Sequence, residues 1–254
     1  MPSHIDCLKG KTALVTGGAK RIGRALSLAL AGRGVNVIIH YHRSSGEAEK
    51  TLSDVRQLGV SAWKIRAELS STPQVQKLIP RAKAKAGRID FLINNASVFT
   101  GSRLKNFTVK EFSRTFHVNA LAPFILTRNF AMHMRKGAVV NLLDSRIKGL
   151  DLGHVSYGLS KKTLRDMTRL LAVELAPRIR VNGIAPGIIL PPKGKSRSSM
   201  RNILSRNLMN APGRVSDITE AVCFLLANPF ITGEILFVDG GEKLKGLLYG
   251  KRKE

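Results

Sequence analysis

Cysteine is scarce in this sequence, and long apolar runs are absent. The 254 residues include only Cys7 and Cys223, which excludes a disulfide scaffold and favours a reducing compartment. Neither belongs to a C-x-x-C or H-x-x-x-H cluster, so we expect no metal site. No segment approaches the ~20 apolar residues of a membrane span, and strand-like sequence begins at Thr12, too early for a signal peptide. We therefore expect a soluble, cytoplasmic protein that does not enter a membrane.

Acidic residues are also few. Asp and Glu total 17 against 42 Lys and Arg, so the formal net charge is +25. Such an excess indicates an anionic partner, such as a nucleotide cofactor, nucleic acid or a membrane surface. The basic residues are dispersed apart from the short run at 251–253, and dispersed charge is more typical of a solvated surface. Composition alone therefore leaves the partner open.

Short β-rich runs alternate with longer helical patterns along the chain. The runs are at residues 12–15, 35–40, 61–65, 91–94, 138–143, 180–184 and 235–238, and the helical patterns are at 21–31, 47–57, 74–86, 110–134, 156–176 and 218–227. This alternation predicts an α/β fold: one Rossmann-like doubly wound domain over residues 1–254, with a seven-stranded parallel sheet flanked by helices on both faces.

Two segments depart from this regular pattern. Pro80 lies inside the third helical pattern, so we expect that helix to kink or break near Ile79. Residues 187–212 are too many for an ordinary connection between a strand and a helix. We expect them to form a substrate loop with a short helix at about 200–208.

A glycine-rich turn follows the first strand and precedes a helix. It reads Thr16-Gly17-Gly18-Ala19-Lys20-Arg21-Ile22-Gly23. Glycines in such a turn let backbone N–H groups approach a phosphate, and the helix N-terminus adds positive potential. The turn therefore predicts dinucleotide binding, with residues of about 11–100 as the cofactor-binding half.

Three further motifs occur in order behind this turn. They are Asn94-Asn95-Ala96 after the fourth strand, Tyr157-x-x-x-Lys161 on a later helix, and Val238-Asp239-Gly240-Gly241 near the end. With these four motifs the chain resembles the short-chain dehydrogenase/reductase family from about residue 11 to 241. The resemblance implies a nicotinamide dinucleotide cofactor, and cofactor contacts from a further set of residues: Asn95, Ala96, Ser97, Pro186 and Gly187.

The end of the second strand indicates which cofactor is bound. NAD-preferring sites place a carboxylate there to bind the adenosine ribose, whereas this strand continues into His42, Arg43 and Ser44. A guanidinium and a hydroxyl suit the 2′-phosphate of NADPH. Arg21 stands where most relatives carry glycine and is a second candidate phosphate ligand. By resemblance, Glu68 and Leu69 flank the adenine.

Tyr157 and Lys161 are four residues apart and therefore share one face of a helix. A nearby ammonium favours a phenolate, so we expect Lys161 to lower the pKa of Tyr157 and make it a better proton donor. By resemblance, Lys161 also binds the nicotinamide ribose, and Asn119 anchors a water relay to that lysine.

Aspartate stands at position 144, thirteen residues before Tyr157, where most of the family has a serine that holds the substrate oxygen. A carboxylate is a poor partner for a developing oxyanion, but it can bind the N–H edge of a nitrogen heterocycle. With Arg21 and Phe99, Asp144 gives the chain a specific resemblance to pteridine and dihydromonapterin reductases. That resemblance implies that Phe99 stacks on a pterin and that Ser97 lines its pocket. Ser145 remains an alternative for the serine role.

These features together predict an NADPH-dependent reductase of a dihydropteridine, dihydromonapterin or dihydrofolate-type substrate. The catalytic residues are Asp144, Tyr157, Lys161 and Asn119, and the substrate-binding residues are Arg21, Ser97, Phe99, Asp144 and Tyr157. One alternative is an NADPH-dependent carbonyl reductase of a 3-oxoacyl or other ketone. Another is a non-catalytic basic protein that binds nucleic acid, although we expect no nucleic-acid partner. By resemblance, the helices at 110–134 and 156–176 build a homotetramer.

Overall fold

The computed structural model describes residues 6–191, 201–245 and 248–249. Seven parallel strands form the main sheet in the order β3-β2-β1-β4-β5-β7-β8. They are β1 (Thr12–Val15), β2 (Asn36–Tyr41), β3 (Ala62–Arg66), β4 (Phe91–Asn94), β5 (Gly137–Leu142), β7 (Ile179–Pro186) and β8 (Ile235–Val238). A separate short pair joins β6 (Leu150–Asp151) to β9 (Leu248–Tyr249); the sequence did not predict it.

Helices cover both faces of the main sheet. The described helices are α1 (Arg21–Ala31), α2 (Ser45–Gln57), α3 (Thr72–Ala86), α4 (Val109–Phe116), α5 (Ala122–His133), α6 (Val155–Leu175), α7 (Arg201–Leu204), α8 (Val215–Ala227) and α9 (Glu242–Lys245). One apolar cluster joins the sheet to α1, α2 and α8, and a second joins its other face to α3, α5 and α6. The prediction of a single, doubly wound α/β domain is confirmed.

The strands are apolar throughout because both of their faces are buried. Val15 belongs to one cluster and its neighbour Leu14 to the other, and Ile39 and Ile38 are divided in the same way. Successive side chains of a strand point to opposite faces, so a sheet covered on both sides needs apolar residues at every position. The weakest predicted strand, at 61–65, is present as β3.

Pro80 does not break α3, which runs unbroken from Thr72 to Ala86. The predicted break is therefore wrong, whereas the alternative of a kink near Ile79 stays a prediction. A proline inside a helix leaves the carbonyl four residues earlier without its usual donor, and here that carbonyl belongs to Gln76. The side chain of Asn129 on α5 donates a hydrogen bond to the Gln76 carbonyl oxygen at 3.1 Å. A neighbouring helix thus supplies the donor that the proline lacks.

The single helix expected at 110–134 is present as α4 and α5 with a π-helical segment, His117–Leu121, between them. In this segment the amide of Ala122 donates to the carbonyl of His117, five residues earlier. Single π-helical turns of this kind are frequent at functional sites. Asn119, which the sequence singled out, lies in the middle of this one and is fully buried.

The expected substrate loop at 187–212 lies partly outside the described residues, which omit 192–200. The short helix α7 falls within the predicted 200–208 range. The basic run at 251–253 also lies outside the described residues. Over the described part of the chain, none of the helices combines the length and hydropathy needed to cross a bilayer.

Candidate active site

A cavity of about 600 Å³ lies at the carboxyl ends of β1, β2 and β4. The strand order reverses beside β1, since β2 and β3 lie on one side of it and β4 on the other. Open α/β sheets bind ligands at this kind of switch point. Every cofactor residue predicted from the amino-terminal half lines the cavity: Gly17, Lys20, Arg21, Ile22, Gly23, His42, Arg43, Ser44, Glu68, Leu69, Asn95, Ala96 and Ser97.

The glycine-rich turn is packed too tightly for side chains at its two key glycines. Gly17 has a φ of +63°, and a Cβ atom on Gly23 would lie 2.0 Å from the carbonyl oxygen of Gly17. The Asn95 side chain holds the turn by donating to the carbonyl oxygen of Thr16 at 2.9 Å. The Thr16 hydroxyl in turn accepts the amides of Asn95 and Ala96. These contacts join the ends of β1 and β4 into one rigid wall of the cavity.

Arg21 adopts a left-handed backbone conformation with a φ of +54°. An arginine there costs about 1–3 kcal/mol relative to an unstrained residue. Its guanidinium is exposed and donates to the carbonyl oxygen of Pro191 at 2.7 Å, which links the turn to the start of the 187–212 segment. A strained cation retained at a cofactor-type turn indicates a functional requirement for the side chain.

His40 is a positioning residue that the sequence analysis did not identify. Its Nδ1 accepts a hydrogen bond from the Gly17 amide at 3.1 Å, so its Nε2 carries the proton and donates to the Ala67 carbonyl at 3.1 Å. Burial lowers the pKa of His40 to about 4. The neutral His40 ring therefore connects the Gly17 amide of the glycine-rich turn to the main chain directly after β3.

The cavity is predominantly basic. Lys20, Arg21, Arg43 and Arg114 line it, and Glu68 is the one carboxylate among its described lining residues. Glu68 accepts a hydrogen bond from Ser70, which is the main reason that its pKa is lowered, and its carboxylate lies 3.7 Å from His42. Arg114 on α4 was not predicted from the sequence, because it lies far from the recognised motifs. The cavity can therefore hold a polyanionic ligand.

Asp144 follows β5 and lies beside Tyr157 on α6. Oδ2 of Asp144 accepts a hydrogen bond from the Tyr157 hydroxyl at 2.8 Å, and Oδ1 accepts the amide of Arg146 at 2.8 Å. The Arg146 guanidinium lies 3.8 Å from the same carboxylate and 2.7 Å from Asp151. Arg146 thus gives Asp144 a partly buried cationic neighbour.

The pKa of Tyr157 is raised well above its ordinary value, because the phenol is buried and faces the Asp144 carboxylate. The expectation that Lys161 lowers this pKa is therefore wrong in this arrangement. The Lys161 ammonium lies 5.8 Å from the centre of the Tyr157 ring and donates to the Leu142 carbonyl at 2.6 Å. Burial lowers the pKa of Lys161 to about 8. Tyr157 is consequently a protonated hydrogen-bond donor.

Ser145 does not occupy the usual serine role. Its hydroxyl is buried and donates to Oε2 of Glu242 on α9 at 2.7 Å. Burial raises the pKa of Glu242. The Ser145 side chain is bound to α9, and the residue whose side chain contacts the Tyr157 hydroxyl is Asp144.

The side chain of Asn119 holds the loop after β4. Its Oδ1 accepts the Val98 amide at 2.9 Å and the Ser97 hydroxyl at 3.1 Å, and its Nδ2 donates to the Val98 carbonyl and to the Ser160 hydroxyl. This amide therefore joins the cavity wall to α6 one residue before Lys161. A water relay at this position has to use the main chain of Asn119, since its side chain is already engaged.

Phe99 lies at the mouth of the site beside Tyr157. Its ring stacks on His154 with a centroid distance of 4.2 Å and meets the Tyr157 ring edge-on at 4.7 Å. The Arg146 guanidinium lies 5.2 Å from the centre of the Phe99 ring. Because 49% of Phe99 remains exposed, the ring can contact a planar ligand. His154 is held in place by Asp151, because its Nδ1 lies 3.0 Å from Oδ2 of Asp151.

Pro186 and Gly187 lie at the carboxyl end of β7 but are not among the described lining residues of the cavity, and neither are Tyr157 and Lys161. A Cβ on Gly187 would lie 2.7 Å from Cα of Asp239. That close approach to the Val238-Asp239 segment explains the glycine without a ligand.

Comparison with known proteins identifies a common architecture. Residues 17–243 match the family model described as enoyl-(acyl carrier protein) reductase. Versicolorin reductase 1 of Dothistroma septosporum is 32% identical, with 92% of this chain and 96% of the relative covered. The structure of FolM alternative dihydrofolate reductase 1 from Brucella canis, complexed with NADP, is 35% identical with a TM-score of 0.86, covering 92% of this chain and 95% of that one. The Brucella suis FolM structure, also with NADP, is 34% identical with a TM-score of 0.88, covering 92% and 96%.

Proposed function

This chain belongs to the short-chain dehydrogenase/reductase family of NAD(P)-dependent oxidoreductases, and we propose that it is an NADPH-dependent reductase of a pterin or folate-type substrate. The observation that carries the proposal is the 2.8 Å hydrogen bond between Tyr157 and Asp144. This hydrogen bond holds the Asp144 carboxylate beside Tyr157, at a position where a ketone reductase needs a neutral hydrogen-bond donor.

The cofactor site fits a nicotinamide dinucleotide phosphate. Gly17 lines the cavity and has a φ of +63°, so the main chain of the turn can approach a pyrophosphate closely. Arg43 and Ser44 line the end of β2, where a 2′-phosphate is bound in NADP-dependent sites. The two Brucella FolM structures contain NADP. When bound, NADPH supplies the hydride for the reaction.

Asp144 favours a substrate that offers N–H donors. An ionised carboxylate repels the negative charge that develops on a ketone oxygen during reduction, whereas it accepts hydrogen bonds from the amide and amino groups of a pterin. Arg146, at 3.8 Å from Asp144, partly balances the carboxylate when no substrate is present. This contact and the FolM likeness support the same substrate class.

Tyr157 and Asp144 form the route for the proton. Reduction of a C=N bond places a hydride on carbon and requires one proton on the adjacent nitrogen. The protonated phenol of Tyr157, or Asp144 after it takes up a proton, is positioned to supply it, with a general-acid contribution of about 10²–10⁴-fold. With the cofactor bound, Lys161 would hold the nicotinamide ribose, and its ammonium would add positive charge beside the Tyr157 ring.

Phe99 and Ser97 form the substrate wall. Pterins are flat and electron-poor, so the exposed part of the Phe99 ring provides a stacking surface. Ser97 lies between the cavity and Asn119, to which its hydroxyl donates at 3.1 Å. In this proposal Arg21, exposed beside Pro191, contacts both a cofactor phosphate and the substrate.

The test is a panel of substrates assayed by consumption of NADPH. Dihydromonapterin, dihydrobiopterin and dihydrofolate form one arm, and 3-oxoacyl thioesters and polycyclic ketones form the other. We expect turnover of at least one dihydropterin or dihydrofolate. Oxidation of NADPH with ketones, but with no member of the pterin arm, would contradict the proposal.

A carbonyl reductase is the second candidate, and the names of the curated relatives favour it. The versicolorin reductases are named for a substrate that is neither a pterin nor a folate. In such an enzyme a serine-type donor beside Tyr157 has to come from Ser145, the next residue in the chain, and the Ser145 hydroxyl is bound to Glu242. The local geometry therefore favours the pterin proposal.

We also propose that the protein is a cytoplasmic homotetramer. Leu159, Leu170 and Val173 on α6 are exposed apolar residues, with Val173 82% exposed. Exposed apolar side chains on one long helix favour a helix-to-helix interface. Size-exclusion chromatography with light scattering measures the assembly directly, and a monomer at micromolar concentration would contradict it.

A further inference from the structure

A second cavity, of about 630 Å³, lies at the opposite edge of the sheet from the candidate active site. Lys11 precedes β1, Phe91 begins β4, Gly137 begins β5 and Arg180 lies near the start of β7, and all four line this cavity. The cofactor-type cavity instead collects residues that follow the ends of the strands. The second cavity is thus a separate site, and the proposed reaction makes no use of it.

The rim of this second cavity is strongly basic. Six lysine and arginine residues line it, against one carboxylate, Asp90: Lys11, Lys83, Arg88, Arg135, Lys136 and Arg180. Asp90 is already engaged, because it pairs with Arg88 and lies 3.9 Å from Lys11. In the part of the chain that the structure describes, Lys83, Arg135, Lys136 and Arg180 form no ion pair. Four cations therefore surround one concave space without a balancing acid.

Arg180 is the most enclosed of these cations. Its guanidinium donates to the carbonyl oxygens of Leu225, Leu226 and Ile231, at 2.8, 2.8 and 3.1 Å. These carbonyls, two of them in the last turn of α8, fix its position but carry only partial charge. Burial lowers the pKa of Arg180. A fixed, partly desolvated guanidinium attracts an anion more strongly than a mobile surface lysine.

The floor of the cavity is apolar. Ile89, Phe91, Met134, Leu226 and Ala227 line it, and all five are buried. Ligand sites of 300–1,000 Å³ typically combine an apolar lining with a few charged groups that fix orientation. An apolar floor beneath a basic rim suits a molecule that has a flat apolar part and several negative charges.

We propose that this second cavity binds an organic phosphate of about nucleotide size. Its apolar part packs on the floor, and its phosphates lie among Arg135, Lys136, Lys83 and Arg180. This assignment gives a specific role to part of the +25 charge that the cofactor site does not use. Because the site shares no lining residue with the cofactor cavity, it holds whether or not the substrate is a pterin.

The experiment measures binding of metal-free ATP by calorimetry to protein saturated with NADP⁺, which keeps the probe out of the cofactor site. Arg135→Ala with Lys136→Ala removes two exposed cations from the rim. Lys50→Ala with Lys77→Ala removes the same charge from exposed helix positions that line neither cavity. We expect the rim variant to bind ATP about tenfold more weakly. The control variant should change the affinity for ATP by less than about twofold. NADPH affinity of both variants reports that the fold is intact.

Inorganic triphosphate is the comparison ligand, because it carries the charge without the apolar part. We expect it to bind more weakly than ATP and to lose affinity in the rim variant alone. No binding of ATP to NADP⁺-saturated protein would overturn the proposal. Equal losses in the two variants would also overturn it, since they would show a general response to net charge. An oligonucleotide that displaces ATP, binds much more tightly than ATP and loses affinity in the rim variant would assign the rim to nucleic acid instead.

Discussion

The hydroxyl of Tyr157 donates a 2.8 Å hydrogen bond to a carboxylate oxygen of Asp144, thirteen residues earlier in the chain. The contact keeps the phenol protonated, because both burial and the adjacent negative charge oppose its ionisation. Asp144 also stands at the position where most of the family has a serine that holds the substrate oxygen. In the proposed reaction, substrate choice and proton delivery depend on this same pair of residues.

Replacing Asp144 tests its role against that of Ser145. We expect Asp144→Asn to lower kcat/KM for a dihydropterin by about 10²–10⁴-fold, because the variant removes the negative charge and a proton carrier and replaces one of the two acceptor oxygens by an NH2 donor. Ser145→Ala is the matched control, since its hydroxyl is bound to Glu242, and it should change kcat/KM by only a few-fold. The reverse order of effects, measured with a ketone substrate, would support the carbonyl reductase.

The ionisation of Tyr157 can be followed directly, because the chain has only three tyrosines. We expect the phenolate absorbance of native, cofactor-free protein to show one tyrosine that does not ionise near the ordinary pKa of ~10. Tyr157→Phe should abolish this resistant step. Asp144→Asn should lower the pKa of Tyr157, because the carboxylate that opposes its ionisation is gone. An unchanged titration in Asp144→Asn would show that the two side chains do not interact in solution.

His40 should make folding stability fall in acid. Its pKa is lowered to about 4 in the folded protein, below the ~6.5 of an unfolded chain. Its contribution is therefore complete above about pH 6.5 and is lost as the pH falls towards 4, by about 3 kcal/mol in total. Urea unfolding at several pH values measures the loss. Carboxylates titrate in the same pH range, so each variant is compared with the unaltered protein. The free energy of unfolding of His40→Gln should depend less steeply on pH than that of the unaltered protein. The control His133→Gln, at an exposed position, should keep the original dependence.

Arg43 should select the phosphorylated cofactor. Arg43→Ala removes a charge-assisted contact to the 2′-phosphate, so we expect KM for NADPH to rise about 10–100-fold with KM for NADH nearly unchanged. Lys50→Ala, an exposed cation outside the cavity lining, is the control for net charge. If both variants raise KM for NADPH and for NADH to the same extent, the preference for NADPH does not arise at the end of β2.

The contact between Asn129 and Gln76 should matter only while Pro80 is present. We expect Asn129→Ala to lower the free energy of unfolding by about 1 kcal/mol, because the Gln76 carbonyl then loses its donor. In a Pro80→Ala background the helix amide at position 80 supplies that donor, and the same replacement should cost much less. Urea unfolding of the four proteins of this double-mutant cycle measures the coupling. Additive effects would contradict it.

The order of elements, the parallel sheet and the cofactor wall were all predictable from the sequence. Apolar runs such as 91–94 are continuously hydrophobic, as a sheet covered on both faces requires. The turn at 16–23 has a glycine at position 23, where a Cβ has no room. These features depend on neighbours in the chain, or on the parallel register that brings Gly17 and Asn95 to the same edge. Local pattern and topology therefore determined them together.

Only the tertiary structure decided the chemistry of the polar groups. Whether Pro80 breaks its helix depends on Asn129, 49 positions away on α5. The direction of the Ser145 hydroxyl depends on Glu242, 97 residues further along the chain. The pKa of Tyr157 is raised because burial and the Asp144 carboxylate outweigh the opposing charge of Arg146. Residue identities along the chain determined the sheet and the cofactor turn. The protonation states and hydrogen-bond directions depend instead on contacts between residues far apart in the sequence, and these contacts form only when the chain folds.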